Sequence, residues 1–284
     1  MLDPATALTA ALDNSTKVAN TPLFSTVIDK LLGFRISEWA AQGDTIKKQI
    51  LDGYEEAKQK GLGIQYVSAF RANANLLNTG VKASKYIDPG IQNSVSIDND
   101  VFWGLIEHSK EISNEQMQDL IAKIIAGEYN APGTYSMSTL QILKSLSKDD
   151  LRLLAFFGSF YLPDHGFFKS FFSMDKEAIK ARTELKIDYS DFLELQNLGL
   201  IQSGDYTVSV TIKKDSLYRI IMPARKGVLV VKAARDLENW HFPSCNQLTT
   251  AGREILQHLE VTSQEVFEVW LKDYLKKNGL EVEG

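Results

Sequence analysis

The chain has 284 residues, 44% of them hydrophobic and 24% charged, with a formal net charge of −5. Those values describe a globular protein able to bury a sizeable core and exclude a disordered or fibrous one. The acidic balance argues against general attraction to nucleic acid or an anionic membrane surface, and no apolar run approaches the ~20 residues that a membrane-spanning helix needs.

Met1–Ala11 carries Asp3 and no basic residue, and the first lysine is Lys17, so a signal peptide is not expected. The lone cysteine, Cys245, leaves no internal disulfide and fits a reducing compartment. The expected localisation is cytoplasmic.

Leu23, Val27, Ile28, Leu31 and Leu32 recur at helical spacing before Gly33, and Ile46, Ile50, Tyr54 and Ala57 form a second stripe. After the Gly61 and Gly63 break, a third helix is predicted from about Ile64 to Asn78. Tyr86–Asn99, with Asp88-Pro89-Gly90, reads as a linker. A short helix is predicted over Val101–Ser109. Ser113 with Gln116 reads as a capping box for the next helix, whose stripe is Met117, Leu120, Ile121, Ile124 and Ile125. Gly127 and Pro132-Gly133 close it, Ser136–Leu146 follows, and Ser147-Lys148-Asp149-Asp150 restarts a helix through Leu151, Leu154, Phe157 and Phe160.

Beyond Asp164-His165-Gly166, helices are predicted over Asp175–Glu184 and Tyr189–Leu198. Strands follow over Tyr206–Ile212, Tyr218–Met222 and Val228–Val231, then helices over Thr249–Leu259 and Ser263–Lys277. Helix, helix, strands, helix is the order of a winged-helix module. The expected fold is mainly α, with a helical N-terminal region (1–85), a central helical domain (86–165) and a winged-helix-like α+β module (166–284).

The segment Phe102–Phe157 resembles the signature of a bacterial family of uncharacterised proteins, domain of unknown function 2806. The matching positions are Ile112, Ser113, Glu115, Met117, Gln118, Leu120, Ala122, Lys123, Ile124, Ala126, Gly127, Glu128, Pro132, Gly133, Ser136, Thr139 and Leu140. Ile121 departs from the pattern, since many members carry Trp there. Phe70–Ser84, Leu195–Ile201 and Leu248–Ile255 fall where relatives place a helix, a Gly-Leu-Ile helix end and a Leu-Thr-x-x-Gly helix start. The resemblance runs from about Leu23 to Tyr274. The chain's ending is similar to that of abortive-infection-alpha type proteins, which implies a link to phage defence. The family supplies no catalytic residue to carry over.

Each candidate site has a plainer structural explanation. Glu128 could be a base or ligand, but the favoured role is to accept backbone N–H groups at the next helix start. Gln118 is expected as an internal hydrogen-bond partner. His108, His165, His241 and His258 have no metal-ligand spacing, and His241 with Cys245 is the only nucleophile pair to weigh. No catalytic residue, cofactor or metal is therefore assigned, and the chain is expected to be non-enzymatic. The strand region holds Lys213, Lys214, Arg219, Arg225, Lys226 and Lys232 against Asp215, a candidate nucleic-acid contact, whereas the would-be recognition helix carries Asp188, Asp191 and Glu194 and no basic residue. Core packing is the favoured role of the dense aromatic run around Phe160, but the adjacent pairs Phe167-Phe168 and Phe171-Phe172 cannot all face one helical side, so some of these rings are expected at a domain or subunit interface. A protein partner or self-association is expected, with nucleic acid as the alternative partner.

Overall fold

The computed structural model describes residues 52–53, 55–88, 98–172, 176–222, 227–242 and 245–283. The expectations for residues 23–50, for Tyr54, for residues 89–97, for Asp175 and for Arg225 and Lys226 lie outside them. The chain is mostly helical with small antiparallel sheets in its C-terminal third, and it divides into two compact units, residues 1–140 and 141–284.

In the first unit, α1 (Gly63–Ser84) packs along α3 (Glu115–Asn130) and against α2 (Asn99–Glu111). Helix α1 continues six residues past the predicted end at Asn78 because Thr79 and Ala83 are fully buried there and the Thr79 hydroxyl bonds the Asn75 carbonyl at 3.0 Å. Helix α2 starts at Asp98, whose carboxylate accepts the N–H groups of Asp100 and Val101, and it buries Val101, Leu105 and Ile106. Helix α3 buries Met117, Leu120, Ile121, Ala122, Ile124, Ile125 and Ala126. So wide an apolar face marks α3 as the central element of its unit. Helix α4 (Met137–Ser145) straddles the division at residue 140.

The second unit opens with α5 (Lys148–Gly158), started by the Ser147–Asp150 capping box. It packs on α7 (Tyr189–Asn197) and α8 (Thr250–Leu256). Between them lie β1 (Phe167–Phe168), a 3-10 turn (Lys169–Phe172) and α6 (Lys176–Leu185). A long antiparallel hairpin then runs out through β2 (Ser209–Ile212) and returns through β5 (Leu237–His241) and β6 (Cys245–Asn246). Its pairing extends from Ile201↔Leu248 through Tyr206↔Cys245 and Ser209↔His241 to Ile212↔Leu237. Strand β1 joins the returning arm, with Phe168 opposite Cys245.

A helix, a short strand, two helices and a hairpin whose return arm pairs that short strand make up winged-helix topology. Here the hairpin tip is elaborated. Strands β3 (Tyr218–Met222) and β4 (Gly227–Ala233) form a second hairpin, and β7 (Leu280–Glu283) adds to β4 after α9 (Glu265–Lys277), giving the order β3-β4-β7.

Rings hold this unit together. Phe157 stacks on Phe172 at 5.6 Å, Phe160 and Phe171 both meet Phe267, and Phe171 meets Trp270 at 5.0 Å. Phe167 and Phe172 contact Phe192 of α7, and Phe168 stacks on Phe242. Edge-on and offset ring pairs add roughly 0.5–1.5 kcal/mol each beyond their burial.

Candidate functional site

The polar residues of the signature segment are caps and ties. Asn114, not Ser113, caps α3: its side-chain oxygen accepts the N–H groups of Gln116 and Met117 at 3.0 and 3.1 Å. Ser113 instead accepts from the Asn75 side chain, and Gln116 is exposed, so the expected capping box does not form. Asn and Ser cap equally well, and the sequence offers both at adjacent positions. Gln118 is buried, donating to the Ile112 carbonyl at 2.9 Å and accepting from Lys82 at 3.3 Å.

Glu128, 1% exposed, accepts the Gly133 N–H at 2.6 Å through one oxygen and the Tyr135 N–H at 3.1 Å through the other. It fastens the turn that holds half-buried Pro132, and that turn leads into α4. Gly127 is needed for a close approach: a Cβ there would overlap the Tyr135 ring. Both Glu128 oxygens are thus committed to backbone N–H groups.

The candidate surface lies on the winged-helix module. Helix α7 occupies the position of a recognition helix. Its N-cap Asp188 and Asp191 form a capping box, and Phe192 and Leu195 face the core. Next to that buried face Tyr189, whose ring stacks on Phe192, is 42% exposed and Leu193, one helical turn on, is 41% exposed, with exposed Glu194 beside Leu193. Ile179 of α6 is also exposed. Two large apolar side chains exposed on a helix that itself carries acid and no base suit a protein partner better than phosphate. Sequence reading assigned the acidic residues but passed over Tyr189 and Leu193. Their i, i+4 spacing, off the Phe192 and Leu195 stripe, was the available signal.

The elaborated hairpin carries the basic candidates. Lys213, Lys214 and Arg219 are exposed. Lys232 sits opposite Glu281 on β7 and pairs with Glu283 at 2.6 Å; this bond, foremost, raises its pKa above the usual lysine value. The outer face of β3-β4-β7 is therefore divided. Its β7 side is acidic, whereas its β3 side shows Arg219 and the cross-strand pair Ile221 and Val228, both close to half exposed, with Leu217 nearby at 56%.

Phe167, Phe168, Phe171 and Phe172 are at most 4% exposed, and the rings they touch belong to their own unit. This assigns them to the core in place of the expected interface. A two-residue strand followed by a 3-10 turn sends adjacent rings to different sides of one core, which a regular helix could not do.

A buried polar cluster joins the hairpin to the module. His165, fully buried, bonds the Tyr218 hydroxyl at 3.0 Å through Nε2, and burial pulls its pKa down to about 4. The Tyr206 hydroxyl donates to the His165 carbonyl and accepts from Gln247, which in turn accepts from Tyr161 at 2.8 Å. Cys245 is buried with its thiol pushed up to about 12, while His241 is exposed and bonds Ser209 at 2.7 Å. A thiol protonated at neutral pH is a poor nucleophile, and the His241 ring is bonded to Ser209. Among the described residues no group of three His, Cys, Asp or Glu side chains is placed to hold a metal, and no helix is long and apolar enough to cross a membrane.

The fold and surfaces define a winged-helix-like protein with a helical N-terminal unit. The model of the family described as protein of unknown function (DUF2806) matches residues 71–272, and the chain belongs to that family. No match to the chain was found among curated proteins or solved structures.

Proposed function

We propose that this chain is a non-enzymatic interaction or regulatory protein whose winged-helix module engages protein through the outward face of α7. The observation that carries this reading is the exposure of Tyr189 and Leu193 on a recognition helix that bears Asp188, Asp191 and Glu194 and no basic residue. A winged helix that reads duplex DNA sets this helix against phosphates, which an acidic face repels. The cytoplasm is its proposed site of action, on the strength of a single buried cysteine. The proposal extends to a role in bacterial phage defence or stress response.

The test is a photo-crosslinking amino acid placed at Ser190, on the exposed face, with capture compared between that chain and the same chain carrying Leu193→Glu. Loss of a discrete crosslinked protein in the Leu193→Glu chain is expected. Equal capture by both chains would remove α7 as the binding face.

A second reading rests on exposed Lys213, Lys214 and Arg219, which could follow a nucleic-acid backbone without reading bases. A mobility shift with random duplex DNA at low salt, weakened by Lys213→Glu with Lys214→Glu, is its expected outcome. Absence of any shift rejects it.

A further inference from the structure

We infer that the partner surface for α7 is the β3–β4 hairpin of a second copy of this chain, each copy's hairpin seating on the other's recognition helix. This rests on the reading that α7 docks protein, and it names the protein.

The two surfaces complement each other in polarity and in charge. On α7 the apolar centre is Tyr189 and Leu193, and the charge on the helix is that of Asp188, Asp191 and Glu194, with Lys169 close to Tyr189. On the hairpin the apolar centre is Leu217, Ile221 and Val228, and the basic residue on the same side of β3 is Arg219; Lys213 and Lys214 precede the hairpin, with Lys214 opposite Ala233. Ile221 and Val228 are cross-strand neighbours, so they form one continuous spot, and Arg219 lies two residues from Ile221 on the same side of β3. Of the acidic residues nearby, Glu281 and Glu283 are on β7, on the far side of β4, where Glu283 is engaged by Lys232, and Asp215 and Asp236 lie at Lys214.

Both faces are exposed in the single chain, so neither serves the other within one copy. A reciprocal arrangement about a two-fold axis satisfies both at once and closes the assembly, whereas a one-way contact would propagate. Apolar centres bordered by opposite charge give the association its area and its register together.

The experiment is light scattering and sedimentation of the full chain from low micromolar to tenth-millimolar concentration, with Leu193→Glu, Glu194→Lys and Arg219→Glu. Circular dichroism checks that each exposed substitution leaves the fold intact. The expected result is a dimer whose dissociation constant rises at least about tenfold with Leu193→Glu. Glu194→Lys and Arg219→Glu each weaken it alone. An equimolar mixture of those two variants associates more tightly than either by itself. In their reciprocal heterodimer the two substituted positions face each other at one contact with their charges exchanged, and the other contact keeps the original Glu194 and Arg219. A chain that stays monomeric, or a dimer indifferent to all three substitutions, overturns the inference. Neither result touches the docking reading of α7, which stands or falls on crosslinking at Ser190.

Discussion

The Thr249 hydroxyl donates to the Gly199 carbonyl at 2.6 Å, although fifty residues separate them. The same oxygen accepts the Gly252 N–H at 3.0 Å, capping α8, and the Thr249 N–H reaches the Leu200 carbonyl at 3.0 Å. Two short signatures that lie apart in sequence, the Gly-Leu-Ile end of α7 and the Leu-Thr-x-x-Gly start of α8, are therefore two halves of one joint. Gly199 turns the chain with φ +74, and a Cβ on Gly252 would overlap the Leu200 carbonyl. Thr249→Val keeps the shape but leaves the Gly252 N–H without its cap, and it should cost about 1–3 kcal/mol in urea unfolding. Thr249→Ser should recover most of that. Gly252→Ala, pressed against backbone, should be the worse of the two changes at Thr249 and Gly252, with a loss above about 2 kcal/mol.

Glu128 separates a structural carboxylate from a catalytic one. Its two oxygens each hold one backbone N–H, of Gly133 and of Tyr135. Glu128→Gln keeps one acceptor and turns an amide N–H₂ toward the other donor, so thermal unfolding should show a loss of about 1.5–3 kcal/mol. A stability unchanged by Glu128→Gln would return Glu128 to the list of functional candidates.

The fold was readable where one principle decided it. The stripe from Met117 to Ile125 fixed α3, and the Ser147-x-x-Asp150 pattern fixed the start of α5. The winged-helix order was legible because its helices and its β3 and β4 strands alternate cleanly. Strand β5, Leu-Glu-Asn-Trp-His, was not, since its side chains are mostly exposed and its extended form comes from pairing with β2. Strand β7 was hidden for the same reason, being completed by β4. Of the candidate site, the acids on α7 and the bases on the hairpin were visible in sequence, but burial was not. The sequence cannot tell an exposed Leu193 from a buried Leu195 two positions on without the core that chooses between them. The phenylalanine pairs misled for the converse reason: a 3-10 turn buries what a helix would expose.

Phe171 tests that reassignment. It is fully buried among Phe160, Phe172, Phe267 and Trp270. Phe171→Ala should cost about 3–5 kcal/mol by chemical denaturation, while the oligomeric state of the folded fraction stays that of the parent chain. A variant with parental stability and altered assembly would put the ring back at an interface.

His165 makes stability depend on pH in a window of known sign. Its folded pKa is about 4, below the ordinary 6.5, because burial disfavours the imidazolium, and among the described residues its Nδ1 has no hydrogen-bond partner. Below pH 6.5 the unfolded chain takes up a proton that the folded chain refuses until about pH 4. The unfolded state then binds more protons, so stability falls as pH falls through that interval and the histidine's contribution is fully present only above it. Complete traversal corresponds to about 3 kcal/mol. His165→Asn should lower stability at neutral pH by loss of ring packing against Phe168, Tyr218 and Phe242. It should also flatten the profile: urea midpoints of parent and variant should converge between pH 6.5 and about 4. Parallel profiles would show that His165 is protonated equally in both states, and the buried neutral imidazole would have to be abandoned.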